Sequence, residues 1–171
     1  MLLTSVRRIG ILVLAALLVY PVVADACTCI GEWPNFARSA RAAAVVLIGR
    51  VRTQGKPNLG GRLYPDLDVA YLDVDVFEAV KGTTNGAIVR IWDPGFGGSC
   101  AMDLRPYVKG SVVAFALARN GPEMDEYWQL VPFKPAKEDL LIQSCGEYVR
   151  QLGSVKEGRK LAAELRRDVS N

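Results

Sequence analysis

The sequence predicts a small, mainly β domain closed into a barrel with a helix at each end. Three observations predict it. Five β-type runs recur down the chain, each bounded by turns rich in Gly, Pro or Asn. Helical patterning is confined to a short stretch near residue 40 and to the C-terminal tail. All four cysteines follow a leader of the exported type, and exported small domains are where disulfides reinforce a modest core.

Residues 1–26 read as a signal peptide. Arg7 and Arg8 form the basic start, Ile9 to Val19 is apolar, and Ala24-Asp25-Ala26 supplies a small-x-small cleavage site. The paired arginines also fit a twin-arginine exporter, although most leaders use such a pair simply as charge. The apolar run is too short for a spanning helix, which takes about 20 residues, and no later segment approaches that length. The expected product is a single domain, residues 27–171, secreted or periplasmic. Removing Arg7, Arg8 and Asp25 from the 21 basic and 18 acidic side chains leaves 19 and 17, a net charge of +2. Such a balance is no polyanion-binding signature, so a nucleic-acid partner is not expected.

Each element has a local reason. Pro34 to Ala43 reads as a short helix, with Pro34 in its first turn and Phe36, Ala40 and Ala43 on one side. "VVLIGRV" (45–51) is a β-branched run whose glycine suggests a bulge or a close approach. A Gly/Pro/Asn-rich loop follows, then "DVAYLDVDVFEAVKG", where Leu72, Val74 and Val76 alternate with Asp73 and Asp75 as in a half-buried strand. "TTNG" turns the chain into "AIVRIWD". "PGFGGSC" is a Gly-rich loop, "SVVAFALA" (111–118) a buried strand, and "YWQLVPF" a further short strand. The tail from Ser154 to Val169 is helical, with Leu161, Leu165 and Val169 in line.

The four cysteines are Cys27, Cys29, Cys100 and Cys145. Disulfides are expected from the compartment; the rival reading, structural zinc, favours Cys-x₂₋₄-Cys pairs and often histidine, which this chain lacks altogether. Four cysteines allow three connectivities. Cys27 and Cys29 suit one another poorly, because a one-residue spacer in an extended segment points both side chains the same way. Each is expected to reach a distant partner, and closing so long a loop contributes about 4 kcal/mol in the chain-entropy model.

Little in the chain supports catalysis, and neither an enzyme nor a cofactor is expected. The commonest general base and metal ligand is missing with histidine. "GFGGS" lacks the Gly-Lys-Ser/Thr ending of a phosphate loop, and there is no Cys-x-x-Cys. Asp73 and Asp75 fit a solvated strand face. Lys156, Arg159, Lys160, Arg166 and Arg167 interleave with Glu157, Glu164 and Asp168, as on an ordinary solvated helix.

The order of features nevertheless has a counterpart. Cys-Thr-Cys-Ile at the expected mature N-terminus, a short helix, "VVLIGRV", "VFEAVKG", "GGSCAMDL", "YVKGSVVAFALA" and "IQSCGEY" together resemble the netrin-like module of the tissue inhibitors of metalloproteinases. The resemblance spans roughly Cys27 to Cys145 and implies a five-stranded OB-type barrel with pairings Cys27–Cys100 and Cys29–Cys145. It also implies that the free amine and carbonyl of Cys27 chelate the catalytic zinc of a target metalloprotease. Thr28 would then enter the specificity pocket, Cys29 and Ile30 would follow the cleft, and Ser99, Cys100 and Ala101 would flank them. The chain departs from that family in having no cysteine near Ala37 and only one helix after Cys145. The alternative is a non-inhibitory extracellular binding or structural module in which Cys27 and Cys29 only anchor the first strand. A lipid-modified Cys27 would exclude inhibition.

Overall fold

Asn35 opens the first helix. Its side-chain oxygen accepts a hydrogen bond from the Arg38 amide at 3.0 Å, satisfying one of the donors a helix start leaves unpaired. Helix α1 therefore spans Phe36–Ala42, two residues later than the Pro34 start read from sequence. The computed structural model describes residues 32–56, 69–84, 86–94, 102–125, 128 and 135–169. Within them follow β1 (Val45–Gly55), β2 (Tyr71–Lys81), β3 (Ile88–Trp92), β4 (Val112–Arg119), β5 (Leu140–Ile142), β6 (Val149–Leu152) and α2 (Val155–Val169).

The strands pair in the order β1-β2-β3-β5-β4, and β4 returns to β1, which closes a five-stranded barrel. All of these pairings are antiparallel except β3 with β5, which run parallel. The mainly β barrel with a helix near each end agrees with expectation, and its strand order is consistent with an OB-type barrel. The sixth strand, β6, lies in line with β5 along one edge of β4: β5 pairs with residues 117–119 and β6 with residues 112–115. Between them the chain makes a corner, residues 143–148, that leaves the sheet.

Alternation along β1 and β4 sends side chains both ways. Val45, Leu47, Val51, Val113, Phe115 and Leu117 point into the barrel. Val46, Ile48, Val112, Ala114 and Ala116 point outward, where Phe36 and Ala40 of α1 and Ala162 and Leu165 of α2 cover them. Both strands are accordingly buried on two faces. Gly49 shows why its position excludes a side chain: a Cβ there would stand 2.3 Å from Val74 Cγ1 and 2.6 Å from the Asp75 carbonyl oxygen. The β1–β2 register also shifts beside it, so the glycine serves a bulge and a close approach together. At the start of α2, Ser154 Oγ accepts from the Glu157 amide while Glu157 accepts from the Gly153 amide, a reciprocal cap.

One expectation needs correction. The sequence predicts a strand over "YWQLVPF", yet Trp128, its one described residue, is helical. Its indole donates to Asn120 Oδ1 at 2.7 Å, and its ring joins Trp92, Ala70 and Leu141 in a separate apolar cluster. Packing of that ring, rather than strand periodicity, sets its place.

Candidate functional site

Of the eight residues singled out by sequence, Cys27, Thr28, Cys29, Ile30, Ser99, Cys100 and Ala101 lie outside the described residues, and Cys145 lies within them. The thiol of Cys145 is not free. Both pairings implied by the resemblance involve cysteines outside the described residues. The chain after Ile30 and on either side of residues 99–101 is described, however.

The corner between β5 and β6 receives the N-terminal flank. Cys145 holds φ +69°, a left-handed conformation uncommon for a residue with a side chain. The next residue, Gly146, leaves no room for one: a Cβ would lie 2.7 Å from Pro34 Cγ and 2.7 Å from the Tyr148 ring. Glu147 then fastens the N-terminal segment. Its amide donates to the Pro34 carbonyl at 3.0 Å, and its Oε2 accepts from the Phe36 amide at 3.0 Å. Arg150 grips the same carboxylate through two nitrogens, at 2.7 and 3.0 Å, and its guanidinium lies 5.1 Å from the centre of the Phe36 ring. The Arg150 hydrogen bonds hold the Glu147 carboxyl below the usual carboxylate range, with the Phe36 amide adding to them against burial. A short helix is thus entered through a fixed clasp, with Trp33 outside it and 68 % exposed.

The chain on either side of residues 95–101 is fixed. Asp93, buried at the end of β3, accepts from the Met102 amide at 2.7 Å through Oδ2, while its own amide donates to the Ala70 carbonyl. Gln54 at the end of β1 donates to the Leu104 and Arg105 carbonyls at 3.0 and 3.2 Å. From there Tyr107 turns inward and packs on the barrel core together with Met102 and Tyr148. Burial raises the Tyr107 phenol above its ordinary pKa, and the charges of Asp103 and Glu147 add to the effect. Glu147 thus binds the N-terminal segment directly, and the next residue, Tyr148, packs on the same core as Met102 and Tyr107.

The other expectations are placed as follows. Asp73 faces outward from β2 and takes Arg90 in a two-point contact at 2.7 and 3.0 Å, with Thr53 Oγ1 donating at 3.0 Å. The Arg90 hydrogen bonds hold its carboxyl below the usual range. Asp75 is exposed and pairs with Arg52 at 3.7 Å, so the two aspartates form separate ion pairs rather than a carboxylate dyad. On α2, Lys160 pairs with Glu164, and Arg159 and Arg166 both reach Glu78 of β2. Among the described residues, no three His, Cys, Asp or Glu side chains are grouped to hold a metal, and no helix is long and apolar enough to cross a membrane.

Sequence reading missed Glu147 and Asp93. Neither sits in a motif, because their partners are distant: Phe36 is 111 residues from Glu147. The only hint for Glu147 was its place two residues after Cys145. A scan of the chain against protein-family models found no match, and a search of curated proteins found none.

Proposed function

We propose that the chain is a secreted netrin-like protein that inhibits a zinc metalloprotease through its N-terminal cysteine. In this reading Cys27 pairs with Cys100 and Cys29 with Cys145. The Cys27 α-amine and carbonyl bind the target's zinc, Thr28 enters the specificity pocket, and Cys29, Ile30, Ser99 and Ala101 line the ridge. The observation that supports it is the clasp at Glu147. The segment following Cys29 is held there through Pro34 and Phe36, two residues from Cys145, as a Cys29–Cys145 pairing would require.

The chemistry is economical. A metalloprotease zinc keeps one coordination position open for water, and a rigid amine–carbonyl pair displaces that water. An α-amine with a reference pKa of about 7.7–8.0 loses its proton at little cost near neutrality. A donor already held by a clasp and two bridges gives up little freedom on binding.

The test is one alanine inserted before Cys27. Inhibition of a panel of zinc proteases is expected for the cleaved protein and lost for the extended one, with unchanged thermal melting. Intact mass should correspond to residues 27–171 and rise by four hydrogens on reduction. Equal behaviour of the two proteins in every assay favours the alternative, a binding or structural module whose paired cysteines only anchor the first strand. An acylated N-terminus excludes the mechanism.

A further inference from the structure

The ring of strands is incompletely zipped between β3 and β5. The Val76 amide donates to the Ala87 carbonyl, and Val74 stands opposite Val89. In an antiparallel pair the alternate residues, Ile88 and Arg90, then aim their amides and carbonyls away from β2. β5 takes up that side of β3 only from Ile91, which stands in register with Leu140. The backbone of Ile88 therefore lies on an edge that no other described strand pairs, and its side chain is 48 % exposed. An unpaired edge is a template for one more strand.

A cavity of about 300 Å³ opens beside this edge, lined by Asp73, Ile88, Val89, Arg90, Glu138 and Asp139, at the small end of ligand sites. Its charges are unequally engaged. Asp73 and Arg90 neutralise one another through their two-point contact. Asp139 is only 9 % exposed, and both of its hydrogen bonds, from the Trp92 indole and the Ala136 amide, end on Oδ2. Oδ1 accepts none. Among the described residues the one sealed side-chain oxygen or nitrogen without a partner is Ser39 Oγ, so Asp139 Oδ1 is open to the cavity. Glu138 is exposed and makes no ion pair, although Arg119 and Lys137 border the neighbouring cavity with it. Burial raises the Asp139 pKa, and the Glu138 charge adds to this against the Trp92 and Ala136 hydrogen bonds and the Arg90 charge. A carboxylate so placed gains from a cationic donor delivered to its free oxygen.

We infer that the β3–β5 seam binds an extended segment of a partner protein, which pairs with the Ile88 edge and delivers a lysine ammonium to Asp139 Oδ1 beside Glu138. Lysine suits the cavity better than arginine. Its ammonium is a compact point charge with three donors, whereas a guanidinium seeks two oxygens in one plane, and Asp139 offers one. The apolar lysine stem has the exposed Ile88 side chain to lie against. The contact is made by the seam and not by the Cys27 amine, so it stands apart from inhibition.

Titration of the capped peptide acetyl-Thr-Val-Lys-Val-Thr-amide into the isotope-labelled full secreted protein, followed by amide chemical shifts, tests the inference. Saturable shifts are expected at Ile88, Val89, Arg90, Glu138 and Asp139. Norleucine in place of the lysine keeps the stem without the charge and should weaken binding about tenfold. Acetyl-lysine methylamide, which has the charge without the strand, should also bind about tenfold more weakly. Asp139→Asn keeps an oxygen for Trp92 and Ala136 but turns a donor toward the cavity, and should lose binding by about tenfold. Glu138→Gln, whose exposed side chain bonds nothing, should melt as the unmodified protein does and bind severalfold more weakly. If Asp139→Asn is too unstable to titrate, Glu138→Gln and the norleucine peptide decide. Absence of saturable shifts at the seam overturns the inference, as does equal affinity for the norleucine peptide or undiminished binding by both variants. Equal affinity for the single capped lysine would overturn the extended segment. Tighter binding of the peptide with glutamate in place of lysine would put the ligand on Arg90 and overturn the cation.

Discussion

One side of the barrel is roofed and the other is bare. Along β1 and β4 both faces are apolar, and α1 and α2 seal the outer one. Along residues 71–75 of β2 and along β3 the inner face holds Leu72, Val74, Val89 and Ile91, while the outer face carries Asp73, Asp75 and Arg90; farther along β2, Phe77 and Val80 join the roof under α2. The roofed side is specified by volume and burial, which are worth several kcal/mol per side chain. The bare side is specified by charge pairing, worth a fraction of that. Robustness and adaptability are thus divided between two halves of one sheet.

Five substitutions would break or sharpen this contrast. The largest effect is expected from Phe115→Ala, which empties a wholly buried ring site on the roofed side and should cost about 4 kcal/mol in chemical denaturation. Gly49→Ala comes next: its methyl group meets backbone at 2.6 Å, which no rotamer relieves, and about 3 kcal/mol is expected from overpacking. Glu147→Gln should cost about 1 kcal/mol, since the amide still accepts from Phe36 but loses the charge-assisted grip of Arg150. Its effect should also reach the N-terminus, seen as faster amide exchange at Phe36 than at core sites.

The smallest effect belongs to the bare side and is best read against pH. Asp73→Asn should cost about 0.5 kcal/mol at neutrality. Hydrogen bonding to Arg90 lowers the Asp73 pKa, so its contribution is present above about pH 4, the unfolded value, and disappears as pH falls through the lower folded value. Asp139 has the opposite sign. Burial raises its pKa, although the Trp92 indole at 2.7 Å and the Ala136 amide at 2.9 Å oppose that shift. Its contribution is complete below about pH 4 and is lost as pH rises through the raised folded value. Melting temperatures between about pH 2.5 and 7 should therefore show Asp73→Asn flattening the acid limb and Asp139→Asn flattening the decline on its alkaline side. Costs at Asp73 that rival Phe115 would abolish the distinction between the two sides.

The same division explains what could be read in the sequence. α1, β2 and α2 each bury a periodic face and β1, β3 and β4 are mostly apolar runs, and both signals are visible in one dimension. β5 and β6 escaped because "LLI" and "VRQL" are too short to show a period; their strand character comes from pairing along β4, which no local pattern records. Trp128 misled for a related reason: its aromatic run looked strand-like, whereas the indole is fixed by Asn120 and Trp92 across the fold. At the candidate site the cysteines advertised themselves. Glu147, which fastens the N-terminal flank, has no sequence signature because its role is defined by contacts more than a hundred residues away.

The break between β5 and β6 has a dynamic consequence. Closure between β3 and β5 rests on two register pairs, Ile91 with Leu140 and Trp92 with Leu141, backed by the Trp92–Asp139 hydrogen bond. Two pairs form the weakest ladder in a ring whose β1–β2 pairing runs the length of both strands. Sub-global opening should begin along this seam, so the barrel unzips like a cuff at its clasp while β1, β2 and β4 stay joined. Such opening would loosen the Cys145 corner while leaving the roof intact, giving the molecule a local stability at its corner distinct from that of its core.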